Sequence, residues 1–136
     1  MSSILAIAAS GAIAAATRLQ VSAENVANAN SDGPLPTASA AVQSQYAQAY
    51  APQQVDQVTL SGGGTQAIVD NVQPAYTAAY APAAPYADGN GEVAQPNVDY
   101  ANEAVTQMTA AASYAMNVQV MRVYAQMMQT LLDVQA

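Results

Sequence analysis

Leu5, Ala8, Ala12, Ala15, Leu19, Ser22, Val26 and Ala29 recur in alternating steps of three and four, the seam spacing of a coiled coil. A helix through them is about 37 Å long at 1.5 Å per residue, and its small side chains let a partner helix come close. Asn28, Asn30 and the run Asp32-Gly33-Pro34 are stop signals, because Gly tolerates left-handed backbone and Pro cannot continue the hydrogen-bond ladder. This helix is expected to end near Asn30.

A second stripe runs through Val98, Ala101, Val105, Met108, Ala112, Met116, Val120, Val123, Met127, Leu131 and Val134 with no Gly or Pro to interrupt it. It predicts a helix of about 55 Å that begins just after Pro96, with Asn97 or Asp99 as the cap and Glu103 near the positive end of the dipole. Between the helices lie all seven prolines. Val55 to Leu60 and Thr65 to Val72 lean towards β structure and flank Ser61-Gly62-Gly63-Gly64, which reads as a hairpin turn. Pro74 to Tyr86 reads as extended and polyproline-like.

The fold expected from this pattern is mainly α, with two long terminal helices forming a coiled-coil hairpin and a small β-hairpin/irregular insert between them. Residues 1–30 form the first helix, 31–96 the insert and 97–136 the last helix, both ends making one assembly domain. The Leu5 to Ala29 seam is expected to lie antiparallel against the Val98 to Val134 stripe.

At 136 residues the chain has room for one ordinary domain, and Ala supplies much of its apolar half. Such a core is thin, since each buried methyl removes little area from water. Part of the long C-terminal stripe therefore points to another copy or another protein.

Cysteine and histidine are absent, which removes thiolate chemistry, the usual proton shuttle near neutral pH and the commonest metal ligands. The reading is of a non-enzyme without a cofactor. Arg18 and Arg122 are the sole basic side chains against nine acids, and a net charge of −7 argues against nucleic acid and anionic membrane surfaces. The first seventeen residues are uncharged, yet they lack the positive start of a secretory signal and meet Arg18 and Glu24 too early for a membrane span.

Two local runs invite chemistry. Asp88-Gly89-Asn90-Gly91-Glu92 resembles the start of a calcium loop, but Val93 and Asp99 stand where an EF-hand needs Gly and Glu, and a tight turn is the better reading. Gly62 to Gly64 lack the Lys and following helix of a phosphate loop. The methionines of the last helix read as packing residues, since Met fills irregular gaps.

The fourteen residues Arg18-Leu19-Gln20-Val21-Ser22-Ala23-Glu24-Asn25-Val26-Ala27-Asn28-Ala29-Asn30-Ser31 resemble the N-terminal motif of the flagellar basal-body rod and hook proteins. Tyr80-Ala81-Pro82 and the run from Ala87 to Asp99 are similar to the stretch that leads into the family's last helix. Glu103, Val105, Met108, Tyr114, Asn117, Val120 and Met127 fall where that helix carries similar residues. The resemblance implies a structural rod subunit, exported through the flagellar type III apparatus without a cleaved signal and polymerised by its terminal helices into the proximal drive shaft across the periplasm. Its partners would be other copies of itself, other rod proteins, and adjacent ring and export components, with no nucleic acid and no membrane insertion. The expected interface comprises Leu5, Ala12, Arg18, Leu19, Asn25, Val26, Asn28, Val105, Met108, Tyr114, Asn117, Val120, Met127 and Leu131. Asn25 and Asn28 are expected to act at a subunit contact. The rival classes are a secreted coiled-coil or pilin-like filament or adhesin subunit and a small calcium-binding module.

Overall fold

The computed structural model describes residues 4–135, with side chains through Asp133. Met1 to Ser3, Ala136 and the side chain of Val134, all parts of the predicted elements, lie outside the described residues. The element order is α1 (Ile4–Ala27), α2 (Ala40–Gln45), β1 (Gln53–Thr59), β2 (Thr65–Asn71), β3 (Tyr76–Tyr80), β4 (Glu92–Pro96) and α3 (Tyr100–Gln135).

Alanine's high helix propensity carries α1, and the Asn28 amide, which donates to the Glu24 carbonyl at 2.9 Å, closes its last turn. Asp99 caps α3: its Oδ1 accepts from the amides of Ala101 at 2.9 Å and Asn102 at 3.2 Å. The helices run antiparallel, with Asn25 beside Glu103 at one end and Gly11 beside Asn117 further along. Ala8, Ala12, Ala14, Ala15 and Val21 of α1 and Ala110 of α3 are buried. By length and composition α1 could also cross a membrane, but its buried face packs on α3 and the hairpin.

Two features correct the expected fold. The insert is not one small hairpin in irregular chain but two antiparallel two-stranded sheets, β1 with β2 and β3 with β4, together with the short helix α2. The Pro74 to Tyr86 segment, expected to be polyproline-like, contains β3, whose Tyr76 to Tyr80 pair with Pro96 to Glu92. Alternation fails to mark this strand because its apolar residues are Ala and Tyr on both faces, and its partner lies a dozen residues downstream. The second correction concerns the helix seam. Small and polar residues of α3 (Glu103, Ala110, Asn117) meet α1, while Val105, Met108, Met116, Val120, Val123, Met127 and Leu131 of the apolar stripe are 42–65% exposed. An alanine-rich α1 brings the two backbones together, and at that distance the bulky side chains of α3 must lie elsewhere.

β1 and β2 fall on the two β-leaning runs, in a register that sets Val55 opposite Val69 and Thr59 opposite Thr65. Gly63 and Gly64 turn the tip with positive φ of 86° and 96°. The tip is tied to α1 where the Thr65 amide donates to Ser10 Oγ at 3.1 Å. The hairpin thus lies along α1, its open end near Asn25 and its tip near Ser10.

The second sheet is held beneath the end of α1. Gly33 and Ala94 exchange two backbone hydrogen bonds of 3.0 and 2.9 Å, burying Val93, Ala94 and Pro34. Tyr46 stacks obliquely on Tyr86, 5.5 Å between ring centres, and links the chain after α2 to the β3–β4 connection. In that connection Asp88 Oδ1 accepts from the amides of Asn90 and Glu92 at 2.9 and 2.8 Å. These bonds make the Asp88 to Glu92 run a side-chain-stabilised turn, and they occupy the oxygen a calcium loop would direct at the ion.

A Cβ on Gly33 would overlap the backbone of Ala47, Gln48 and Ala49, which cannot move as a side chain can. Gly33→Ala is expected to lower stability by about 2 kcal/mol, the usual scale for overpacking, measured as a fall in the urea midpoint at unchanged slope.

Candidate assembly interface

Asn25 sits at the junction of α1, β1 and α3, 1% exposed. Its Nδ2 donates to the Gln53 carbonyl and to Glu103 Oε1, each at 2.7 Å. Its Oδ1 accepts from the Gln53 amide at 2.9 Å and the Tyr50 hydroxyl at 3.1 Å. An amide offers two donors and two acceptor lone pairs, so every position is filled. One turn earlier, Ser22 Oγ donates to the Glu103 carbonyl at 3.1 Å. Burial first, and then the Glu24 and Glu103 carboxylates, push the Tyr50 phenol above its ordinary pKa.

The same junction opens into a polar cleft of about 380 Å³, whose lining includes Arg18, Asn25, Asp56, Asp99 and Glu103. On the other side of α1 a shallower apolar groove of about 360 Å³ is lined by Ala16, Leu19, Gln20, Ala23, Ala111 and Tyr114.

The residues named from sequence distribute over these surfaces. Ala12 is buried between the helices, and Asn117, opposite Gly11, donates to the Ser113 carbonyl at 2.8 Å. Asn25 makes its four bonds within the chain, and Asn28 closes its own helix, accepting a long 3.5 Å bond from Ser31 Oγ as well. Leu5 and Leu19 are exposed at the margins of α1, and Val26 and Arg18 are half-buried. Val105, Met108, Tyr114, Val120, Met127 and Leu131 form exposed surface on α3. Sequence reasoning missed Tyr50 and Gln53, which reach Asn25 from a low-complexity stretch with no periodicity to mark them. It also missed Gly11, whose signal was an isolated glycine within a helical pattern.

Paired terminal helices enclosing a β insert, with an apolar stripe turned outward, describe an assembly subunit. Residues 90–134 match the family described as flagellar basal body rod FlgEFG protein C-terminal. The flagellar basal-body rod protein FlgC of Salmonella typhimurium is 38% identical over 126 residues, which cover 92% of this chain and 90% of that protein. Its counterpart in Escherichia coli O157:H7 is 37% identical over 131 residues, with the same coverage. In Yersinia enterocolitica the figure is 37% over 119 residues, covering 87% and 85%. The chain belongs to the FlgC family of flagellar basal-body rod proteins.

Asn25→Ala is expected to cost about 2–3 kcal/mol, because it strands the half-buried Tyr50, Gln53 and Glu103 groups, each at the low end of about 1–3 kcal/mol. A thermal melt checks this. Tyr50 gives a second expectation. A phenol whose native pKa is raised binds its proton more tightly folded than unfolded, so its contribution is complete below pH about 10 and disappears as pH rises through the native value. Stability measured across that alkaline range should fall more steeply for the wild type than for Tyr50→Phe.

Proposed function

We propose that this structural subunit of the flagellar basal-body rod polymerises through its paired end helices, with the outward stripe of α3 as the contact to neighbouring subunits. The observation that carries the proposal is the exposure of that stripe: Met108 at 65%, Met116 at 62%, Met127 at 60% and Leu131 at 59%, on an uninterrupted 36-residue helix. Isolated apolar side chains are ordinary on protein surfaces, but a continuous row on one helix face marks an interaction site. The internal seam is filled without it.

Family membership supports a place in the basal body among other rod proteins. The relatives matched here are named as rod proteins, which supports a structural rather than an enzymatic role. Within this reading, the subunit spans part of the periplasm, is exported by the flagellar type III apparatus without a cleaved signal, and meets ring and export components at the ends of the rod. Export as an unfolded chain suits a sequence with no cysteine to oxidise on the way. Nothing in the fold or the relatives favours the adhesin alternative.

Met116→Glu tests the proposal. The side chain is exposed in the isolated subunit, so circular dichroism and melting should stay within about 0.5 kcal/mol of wild type. Burying the new charge between subunits would cost several kcal/mol. Cells carrying the variant should therefore contain the protein but yield no assembled rods by electron microscopy and should not swim. Normal rods would remove the stripe from the interface.

A further inference from the structure

Charge is sorted along the length of this molecule. The antiparallel register of α1 and α3, with the β1–β2 tip held at Ser10, separates an arm (residues 4–17, 57–69 and 111–133) from a head that contains the remaining insert and the Asn25 junction. Within the arm the charged side chains are Arg122 and Asp133, of opposite sign. The head holds eight of the nine acids and a single base, Arg18, so it carries the whole net charge of −7, while Arg122 cancels Asp133 at the far end of α3. The Asp56 and Asp70 side chains lie in the half of the hairpin near the junction, and the tip half is uncharged.

Exposed aliphatic side chains are concentrated in the arm, although Tyr80 (77%) is exposed in the head. Met116 and Met127 project on the stripe, Leu132 (65% exposed) lies on the side of α3 that faces α1 earlier in the helix, and Ile13 (68%) projects from α1. Surface turned in several directions cannot be covered by one partner helix. It calls for more than one neighbour, as a polymer of this chain supplies.

We infer that copies of this chain meet arm to arm while their acidic heads repel, so that the charge partition restrains self-association until the heads are screened. The inference rests on the arm-mediated polymerisation proposed above. An arm contact contains almost no charge and is insensitive to salt apart from the general strengthening of apolar burial. Head repulsion reaches about 30 Å at 10 mM salt and about 8 Å at 150 mM. Raising salt must then tighten association, the reverse of what complementary charges produce. Docking of an acidic head on Arg122 of another copy would weaken with salt.

Sedimentation velocity of the full chain at about 10 mM and about 150 mM salt reads this difference, and association should be at least about tenfold tighter at the higher salt. A triple variant, Asp56→Asn, Asp70→Asn and Glu92→Gln, changes side chains that make no hydrogen bond described above. It should associate at low salt nearly as tightly as wild type does at high salt, with its fold confirmed by circular dichroism. Association that weakens with salt, a triple variant with the wild-type salt response, or no association at either salt overturns the inference. So does uptake of the chain by neutral phosphatidylcholine vesicles in place of self-association. Met116→Glu should be monomeric in both salts; if it associates like wild type, the arm reading itself has failed, whatever the salt response.

Discussion

Asn25, on α1, uses all four of its hydrogen-bonding positions on groups from three other stretches of chain: the start of β1, the Tyr50 loop and the first turn of α3. None of these could bury its polar atoms at this point alone. The Gln53 backbone would enter the junction with an unpaired amide and carbonyl, and Glu103 would bring a carboxylate into a partly closed space. Placing one amide among them lets the sheet and the two helices converge, and the rest of the architecture follows from that convergence. The hairpin is aligned with α1 because its first residue is fixed at Asn25 and its tip at Ser10.

The helix pair shows how small side chains decide what large ones do. Gly11 and the alanines of α1 give α3 so close an approach that a Cβ on Gly11 would stand 2.5 Å from Asn117 Oδ1. Contact at this distance is made by polar and small residues of α3, and the Met, Val and Leu stripe is left facing outward. A subunit built this way is complete internally with little apolar burial, and its largest apolar resource remains open for neighbours.

Much of the helical organisation was legible because periodicity is a local signal: the span of α1, the Asp99 cap and the uninterrupted α3 can be read from spacing alone. The partner of each face could not be read. A small-residue seam and a bulkier stripe suggested that the two pack on one another, and nothing in the spacing reveals that Glu103, Ala110 and Asn117 meet α1 instead. β3 was hidden by its Ala and Tyr composition, since it depends on hydrogen bonds to β4 rather than on a pattern of its own. Asn25 was singled out through family likeness near a helix end, but its junction required Tyr50 and Gln53, which only the folded chain brings to it.

The junction has a mechanical consequence. Asn25 ties α1 by four bonds to a loop, a strand and a helix, so the elements that meet there are held together along more than one direction. A joint held along several directions resists twisting as well as stretching, whereas a single flexible linker would let one part rotate against the other. A subunit braced in this way would pass a load from its helix pair into its sheet and loops without slack, through one buried side-chain amide.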